Sequence, residues 1–343
     1  MRLPPNTFCR RLASATTKNP LNMPLITDIP PTNVQTEIAA LRADLIATIP
    51  ARKVDQNLLI ASWNIRGFGN ITREWASNQE DSPRRDLHSV LCIAEIISHF
   101  DVVAVQEVKG NIRGLRDALK ILGPDWGLIL TDVTRGSEGN DERMAFLFNT
   151  KRVQLSGLAC EIVVPLEDLR EVGENNLKKQ FARTPYAVGF KSGGVTFVLT
   201  TLHVLYGKKE ADRIPELKAI AHWMADWAKD LNEYEQNLIV LGDFNITERG
   251  DLLHKTFISE GLHIHPDMAR PEVTRSIFDK TKFYDHIAWF DTSVAKLSMT
   301  FKRGGNFDFL GKVLTNRGLS KQTISFMISD HYPLWAEFEV SKK

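Results

Sequence analysis

Apolar, β-rich stretches alternate along this 343-residue chain with segments of helical periodicity, and this alternation constrains its fold more than any other feature. The β-rich stretches are 57–63, 101–106, 143–149, 195–202, 237–242, 283–290 and 332–340, and the helical segments are 84–99, 111–122 and 210–230. Strands interleaved with helices are typical of an α/β fold, in which helices cover the sheets. The sequence therefore predicts an α/β protein with mixed sheets.

The chain divides into three regions. Residues 1–33 are predicted to be a disordered leader, because the first 27 residues contain four basic residues and no acidic one. That composition leaves a targeting segment open, with Met23 as an alternative start. Residues 34–54 are predicted to form an amphipathic helix and a linker, and residues 55–341 one large domain. The predicted apolar stripe of the helix is Ile38, Leu41, Leu45 and Ile46.

Composition narrows the class of protein. The net charge is +1, and 43% hydrophobic with 25% charged residues is typical of a globular protein. No apolar run approaches the roughly 18–20 residues that span a bilayer. The three cysteines are far apart and form neither a disulfide framework nor a zinc motif, which fits a reducing compartment. We therefore expect a cytoplasmic monomer without a membrane span or an obligate protein partner.

Basic residues are concentrated in residues 291–328. This segment holds six Lys or Arg residues and two Asp residues. Such a local excess is compatible with a surface that attracts a polyanion and equally with a solvated loop.

Several strands lead directly into residues that bind metals or transfer protons, and in open α/β sheets sites assemble at strand ends. Asp243 and Asn245 follow the strand LIVLG, and side-chain alternation places both on one side. A carboxylate and an amide oxygen suit a cation such as Mg²⁺ or orient an attacking water. The alternative is an Asx-turn that only ends the strand.

Three further oxygen-bearing side chains occupy similar positions. Glu107 follows VVAVQ, Asn64 follows IASW, and Asp330 precedes the terminal strand. Each of them alone is compatible with a solvated strand end or a turn. Together with Asp243 they provide the ligands that a divalent cation requires, with no thiolate to favour zinc. The sequence thus predicts a Mg²⁺ site, with Mn²⁺ or Ca²⁺ as alternatives.

Two histidines lie where proton transfer is plausible. His331 follows Asp330, and Asp285 in the segment FYDHI is a candidate carboxylate to orient it. His203 follows an apolar strand, and Glu142 is its candidate partner. A structural role is the alternative for His331, and an exposed pair with Arg143 is the alternative for Glu142.

The order of these motifs resembles that of the endonuclease/exonuclease/phosphatase superfamily, in its deoxyribonuclease I-like branch. The resemblance covers about residues 57–341. Its blocks are IASWNIRGFG, VVAVQEVKG, ERMAFLFN, FARTPYAVGF, TLHVLYG, VLGDFNIT, FYDHIAWF and ISDHYPL. The resemblance implies a four-layer α/β (α+β) sandwich of two packed mixed β-sheets, with residues 55–341 as the catalytic domain.

The resemblance also implies roles for individual residues. Asn64 and Glu107 would hold one metal ion with Asp330 nearby, and Asp243 and Asn245 would serve a second metal or the nucleophilic water. His331 with Asp285 and His203 with Glu142 would be the two proton-handling pairs. Three basic residues would contact substrate phosphates, namely Arg183, Arg66 and Lys109.

These implied roles predict a metal-dependent nuclease that hydrolyses DNA or RNA. Two departures from deoxyribonuclease I leave the substrate open: Asn140 replaces a tyrosine that contacts the minor groove, and the segment after His203 differs. A phosphoesterase that acts on a lipid head group or a small phosphate ester is the alternative. A non-enzymatic binding protein is the third hypothesis, disfavoured because every ligand position is filled.

Overall fold

All seven stretches predicted as strands coincide with strands in the computed structural model, which describes residues 23–135, 139–163, 181–229, 237–291 and 297–340. The strands are β1 Asn57–Phe68, β2 Val102–Lys109, β3 Trp126–Leu130, β4 Glu142–Asn149, β5 Gln154–Glu161, β6 Tyr186–Ser192, β7 Val195–His203, β8 Leu238–Asp243, β9 Leu262–His263, β10 Asp285–Phe290, β11 Thr300–Asn306 and β12 Leu334–Glu339. The α-helices are α1 Thr32–Thr48, α2 Leu87–Ile97, α3 Arg113–Leu122, α4 Ile214–Lys229, α5 Leu252–Ile258 and α6 Lys321–Met327.

The strands form two six-stranded sheets within the described residues. The first has the order β11-β12-β1-β2-β4-β3, and the second has the order β5-β6-β7-β8-β10-β9. Each sheet contains one parallel pair at its centre, β1 with β2 and β7 with β8, among antiparallel neighbours. Both sheets are therefore mixed, as predicted.

Side-chain alternation along β1 shows how the layers are assembled. Leu58 and Ile60 face the second sheet and pack in one apolar cluster with side chains of β6, β7 and β8. Leu59 and Ala61 point the opposite way and pack with α2 and α3. A third cluster lies between the second sheet and α4 and α5. The order helix, sheet, sheet, helix confirms the predicted four-layer sandwich.

Helix α1 packs on the same core as α2, and its buried face differs from the predicted stripe. Leu41 and Leu45 are fully buried, but Ile46 is 66% exposed, so its predicted place on the buried stripe is wrong. The buried face instead includes Glu37, whose carboxylate lies 3.2 Å from His88 Nε2 of α2. An apolar pattern alone does not locate a helix face that contains a buried ion pair.

Residues 1–22 of the predicted leader lie outside the described residues, whereas Ile26 of the same predicted region belongs to the core. The division at residues 33 and 54 stays a prediction. None of the helices in the described parts of the chain combines the length and hydropathy that a membrane crossing requires.

The basic segment 291–328 contains an edge strand, β11, whose charges are largely paired. Lys302 and Arg303 bind Glu339 and Glu337 of the neighbouring strand at 2.9 and 2.7 Å. Arg317 binds the buried Asp86 at 2.6 Å, and Lys296 lies outside the described residues. These cross-strand pairs account for two of the six basic residues of the segment, and their carboxylates come from elsewhere in the sequence.

Candidate active site

Asn64 and Glu107 lie on adjacent parallel strands, and both are placed by irregular backbone. The predicted position at strand ends was wrong, because β1 continues to Phe68 and β2 continues to Lys109. The pairing register shifts next to both residues, and Glu107 has a positive φ of 60°. Such bulges re-aim a side chain within a sheet. As a result, Asn64 Nδ2 donates to Glu107 Oε1 at 3.1 Å.

Asp243 joins the two sheets at this point. Its Oδ2 accepts a hydrogen bond from Asn64 Nδ2 at 2.9 Å, although 179 residues separate them. Its Oδ1 accepts from the backbone N–H of Asn245 at 3.0 Å, which is the Asx-turn considered as the alternative. One carboxylate oxygen therefore shapes the turn while the other faces the centre of the site.

The position of Asn245 does not follow from the side-chain alternation of an extended strand, which was the basis for predicting it on the same side as Asp243. Strand β8 ends at Asp243, and Asn245 adopts a positive φ of 52°. Its Nδ2 donates to the Val204 carbonyl at 2.7 Å, which ties this turn to the end of β7.

His331 is held by Asp285 and faces Asp243. Its Nδ1 lies 2.7 Å from Asp285 Oδ2, and its Nε2 lies 3.7 Å from Asp243 Oδ2. Burial raises the pKa of Asp285 to about 6. Burial opposes the charged form of His331, but the surrounding carboxylates of Asp285 and Asp243 raise its pKa well above the ordinary value.

His203 also lies between a carboxylate and Asp243, although its Nδ1 contacts the carboxylate without the hydrogen bond that His331 makes. Its Nδ1 lies 3.1 Å from Glu142 Oε2, and its Nε2 lies 3.6 Å from Asp243 Oδ2. The parallel register of β7 and β8 places His203 directly beside Asp243. Two imidazoles, each oriented by its own carboxylate, therefore converge on one oxygen of Asp243.

Glu142 is buried and binds several cations, which differs from the exposed pair with Arg143 considered above. Besides His203, Arg183 Nε donates to it at 2.6 Å and Lys109 Nζ at 2.9 Å. Asn140 Nδ2 also donates to it, at 2.5 Å. Burial opposes its ionisation, but these partners hold the pKa of Glu142 well below its usual range.

The three basic residues predicted to contact phosphate all border the site. Arg183 and Lys109 bind Glu142, and Arg183 Nη1 is buried without a hydrogen-bond partner in the structure. Arg66 Nη1 lies 3.4 Å from Asp330 Oδ2 and donates to Ser325 Oγ at 2.9 Å. Burial raises the pKa of Asp330. An unpaired buried N–H carries a desolvation cost, so Arg183 is well placed to bind an anion.

The donor set fits a divalent cation that prefers oxygen. Glu107 and Asp243 supply carboxylates, and Asn64, whose Nδ2 donates to both, has an Oδ1 atom that is buried without a hydrogen-bond partner. Candidate ligand atoms of Glu107, Glu142 and His203 lie within 4.8 Å of one another, and so do those of Asp243, Asp285 and His331. Carboxylate and amide oxygens are ligands for Mg²⁺, Mn²⁺ or Ca²⁺.

Several residues that position the site were missed at the sequence level. Glu216 of α4 accepts from the backbone N–H groups of Leu205 and Ala182 and so fixes the chain beside both His203 and Arg183. Arg213 donates to the Asn245 carbonyl at 2.8 Å. Both are long polar side chains on a helical segment, and only their burial distinguishes them from solvated residues.

Ser329 is a further missed residue, and its removal should destabilise the protein. Its hydroxyl donates to the Asn64 carbonyl at 2.6 Å and accepts from the His331 N–H at 3.0 Å. We expect Ser329→Ala to lower the free energy of unfolding by about 1–3 kcal/mol, because buried groups lose their partners. Urea denaturation measures this change.

Ser259→Ala is the matched control, since the Ser259 hydroxyl makes an exposed bond to Thr256. The control should change stability by less than about 0.5 kcal/mol. Equal stability of the two variants would contradict the role of Ser329.

A family model for the endonuclease/exonuclease/phosphatase family matches residues 61–331. The match includes every residue of the site and all strands except β12 and the first residues of β1, and the chain belongs to this family.

Three known proteins are similar to this chain in sequence or fold. A deoxyribonuclease of Thioalkalivibrio sp. (strain K90mix) is 29% identical over 214 residues, which are 60% of this chain and 51% of that protein. The chain therefore spans about half the length of this curated relative. An endonuclease/exonuclease/phosphatase family protein from Bacteroides thetaiotaomicron matches with a TM-score of 0.52 and 20% identity, covering 84% of this chain and 99% of the other. The mannosyl-6-phosphatase Bt3783 of that species matches with a TM-score of 0.51 and 20% identity, covering 82% and 99%.

Proposed function

We propose that this protein is a metal-dependent phosphodiesterase that cleaves nucleic acid, with DNA as its main substrate. The observation that carries the proposal is the convergence of His203 and His331 on Asp243, at 3.6 and 3.7 Å from the same oxygen. Each histidine has its other ring nitrogen beside a buried carboxylate, which orients the ring.

This symmetry suits hydrolysis of a phosphodiester, which needs two proton transfers. An attacking water loses a proton, and the leaving oxygen gains one on the opposite side of the phosphorus. One histidine would accept the first proton, and the other would donate the second. Each transfer of this kind typically contributes about 10²–10⁴-fold to the rate.

The oxygen-rich side chains would hold the cation. We assign Asn64, Glu107 and Asp243 to this role, with Asn245 and Asp330 as further candidates. A bound divalent cation supplies Lewis-acid stabilisation of phosphate charge. Arg183 would add to that stabilisation through its unpaired Nη1, since charge accumulates on the phosphate oxygens in the transition state. Arg66 and Lys109 would bind phosphates at the border of the site.

Nucleic acid as the substrate is supported by the relative called a deoxyribonuclease. A sandwich of similar fold called a mannosyl-6-phosphatase shows that the fold alone does not select the substrate. Cleavage of a small phosphate ester or a lipid head group is therefore the second candidate function. The segment that follows His203 favours it, because this segment differs from its counterpart in deoxyribonuclease I.

The proposal predicts that the purified chain nicks supercoiled plasmid in Mg²⁺ and that EDTA abolishes the nicking. His331→Ala should reduce the rate by about 10²–10⁴-fold. Agarose gel electrophoresis of the nicked form measures the rate, and added Mg²⁺ should restore the activity that EDTA removes.

The same preparation should be tested on RNA, sphingomyelin and bis-p-nitrophenyl phosphate. If the protein hydrolyses sphingomyelin or bis-p-nitrophenyl phosphate but cleaves no nucleic acid, its substrate class would be lipid or small phosphate esters. Nicking that persists in His331→Ala at the rate of the unmodified protein would refute the assigned site. The predicted monomeric state stays a prediction, which light scattering can check.

A further inference from the structure

A groove of about 740 Å³ opens beside the candidate metal ligand Glu107, which is part of its lining. One wall is the exposed face of α6, with Gln322, Thr323 and Phe326. The segment Ser82–Arg84 and the side chains of Arg66 and Arg85 also line the groove. Because Glu107 lines the groove, a molecule bound there also reaches the catalytic centre.

Phe326 is the unusual feature of this groove. Its side chain is 46% exposed although the ring is large and apolar. The guanidinium carbon of Arg66 lies 4.0 Å from the ring centroid, so one face of the ring is covered by a cation. The exposed remainder lines the groove, where it offers a flat apolar surface at the edge of a charged site.

The groove is also electropositive. Arg85 is fully buried beneath it and donates to four backbone carbonyls, those of Arg66, Gly67, Met327 and Ile328. Carbonyl oxygens satisfy its donors without cancelling its charge. Arg66 and Arg84 add two half-exposed cations, so three arginines line the groove against the two carboxylates of Asp81 and Glu107. A chain of phosphates fits this balance of charge.

Arg66 connects the aromatic surface to the site. It stacks on Phe326 and lies 3.4 Å from Asp330, one of the candidate metal ligands. From the candidate metal site, Arg66 is therefore the first side chain along the groove and the ring of Phe326 is the next. This is the order of contacts that a nucleotide presents, with its phosphate first and its base beyond the sugar.

We propose that this groove binds the nucleotide next to the cleaved phosphate, with its base unpaired and stacked on Phe326. The inference rests on the proposed nuclease function and adds a preference for single-stranded substrate. In a duplex the faces of each base are covered by its neighbours, so stacking on Phe326 requires an unstacked base. Aromatic platforms of this kind bind single strands with little sequence preference.

The experiment compares Phe326→Ala with the unmodified chain on a single-stranded oligodeoxynucleotide and on bis-p-nitrophenyl phosphate, which carries neither a sugar nor a nucleobase. We expect kcat/KM on the oligonucleotide to fall by about 5- to 100-fold, mainly through KM. The ratio of the two kcat/KM values should fall with it, and Phe326→Trp should restore the ratio.

Phe278→Ala is the matched control. Phe278 is also exposed, at 47%, and also lies beside a cation, Lys321, but it does not line the groove. This control should keep both activities. A direct readout is the fluorescence of a 2-aminopurine base in the oligonucleotide, measured with EDTA to prevent cleavage. Stacking on Phe326 quenches it, and Phe326→Ala should remove the quenching.

The outcomes separate this inference from the proposed function. An unmodified chain that cleaves no nucleic acid ends both proposals. An unmodified chain that cleaves duplex DNA but not single strands overturns the inference alone. So does a Phe326→Ala variant that matches Phe278→Ala, or one that loses both activities in equal proportion.

Discussion

Asp243→Asn is expected to lower kcat for phosphodiester cleavage by at least about 10³-fold while the protein stays folded. The carboxylate of Asp243 faces both imidazoles and accepts from Asn64, so its charge acts on the whole site. Burial acts to raise the pKa of Asp243, but His331 and His203 lower it, which keeps it charged. Asparagine keeps the shape and removes this charge, and single-turnover cleavage of plasmid measures the effect.

Asp226→Asn is the control for this prediction. Asp226 also pairs with a histidine, His222, at 3.3 Å, but both side chains are more than half exposed. The control should retain full activity, because a solvated ion pair contributes little to the free energy of the folded state and this one lies outside the candidate site. Circular dichroism should show both variants folded. Activity of Asp243→Asn above a tenth of the unmodified rate would mean that the carboxylate is not central to the reaction.

The second large effect is expected for Glu142→Gln, which should lower both stability and activity. Glu142 is the common partner of His203, Arg183 and Lys109, and its carboxylate is almost fully buried. Removing one member of a buried ion pair leaves the partner charges uncompensated. This typically costs about 3–5 kcal/mol in the free energy of unfolding. Urea denaturation measures the change.

Proton linkage gives this prediction a pH dependence. The pKa of Glu142 is lowered in the folded protein, so its charge stabilises the fold fully above the ordinary value of 4.5. That contribution is lost as the pH falls below 4.5 toward the folded-state pKa. The stability difference between the unmodified protein and Glu142→Gln should therefore be constant near neutral pH and narrow in acid.

Glu272→Gln is the matched control for Glu142→Gln. Glu272 forms an exposed pair with Arg270 at 3.5 Å, and the change should cost less than about 1 kcal/mol. For activity, the effects of His203→Ala and Glu142→Gln should add only in part when combined, because one of the contacts of Glu142 is with the His203 imidazole. A stability loss below 1 kcal/mol in Glu142→Gln would show that Arg183 and Lys109 do not depend on this carboxylate.

Much of the site was predictable because its residues lie in short patterns that the sequence shows directly. The apolar runs before Asp243 and His203 indicate strands. The order of motifs resembles that of a family, and this resemblance implied the pairing of His331 with Asp285. The structure brings all of these side chains together. The α/β class was predictable because strand and helix periodicities are local properties of the chain, and the resemblance implied the layered sandwich.

Other features depend on contacts that no local pattern contains. The bulge that turns Glu107 toward Asn64 comes from pairing between strands, and the position of Glu37 in the buried face of α1 depends on His88. The ion-pair partners of Lys302 and Arg303 in β11 are Glu339 and Glu337, which belong to a different strand.

Periodicity along the chain predicted an α/β fold with mixed sheets, and the resemblance carried by its motifs implied the sandwich and the candidate site residues. Only the packing of one sheet on the other determined that Asn64 meets Asp243, that two histidines share one carboxylate, and that Phe326 borders the site. The physical reason is that periodicity reports which face of an element is apolar, whereas distances between elements depend on how buried side chains and ion pairs fit across the core.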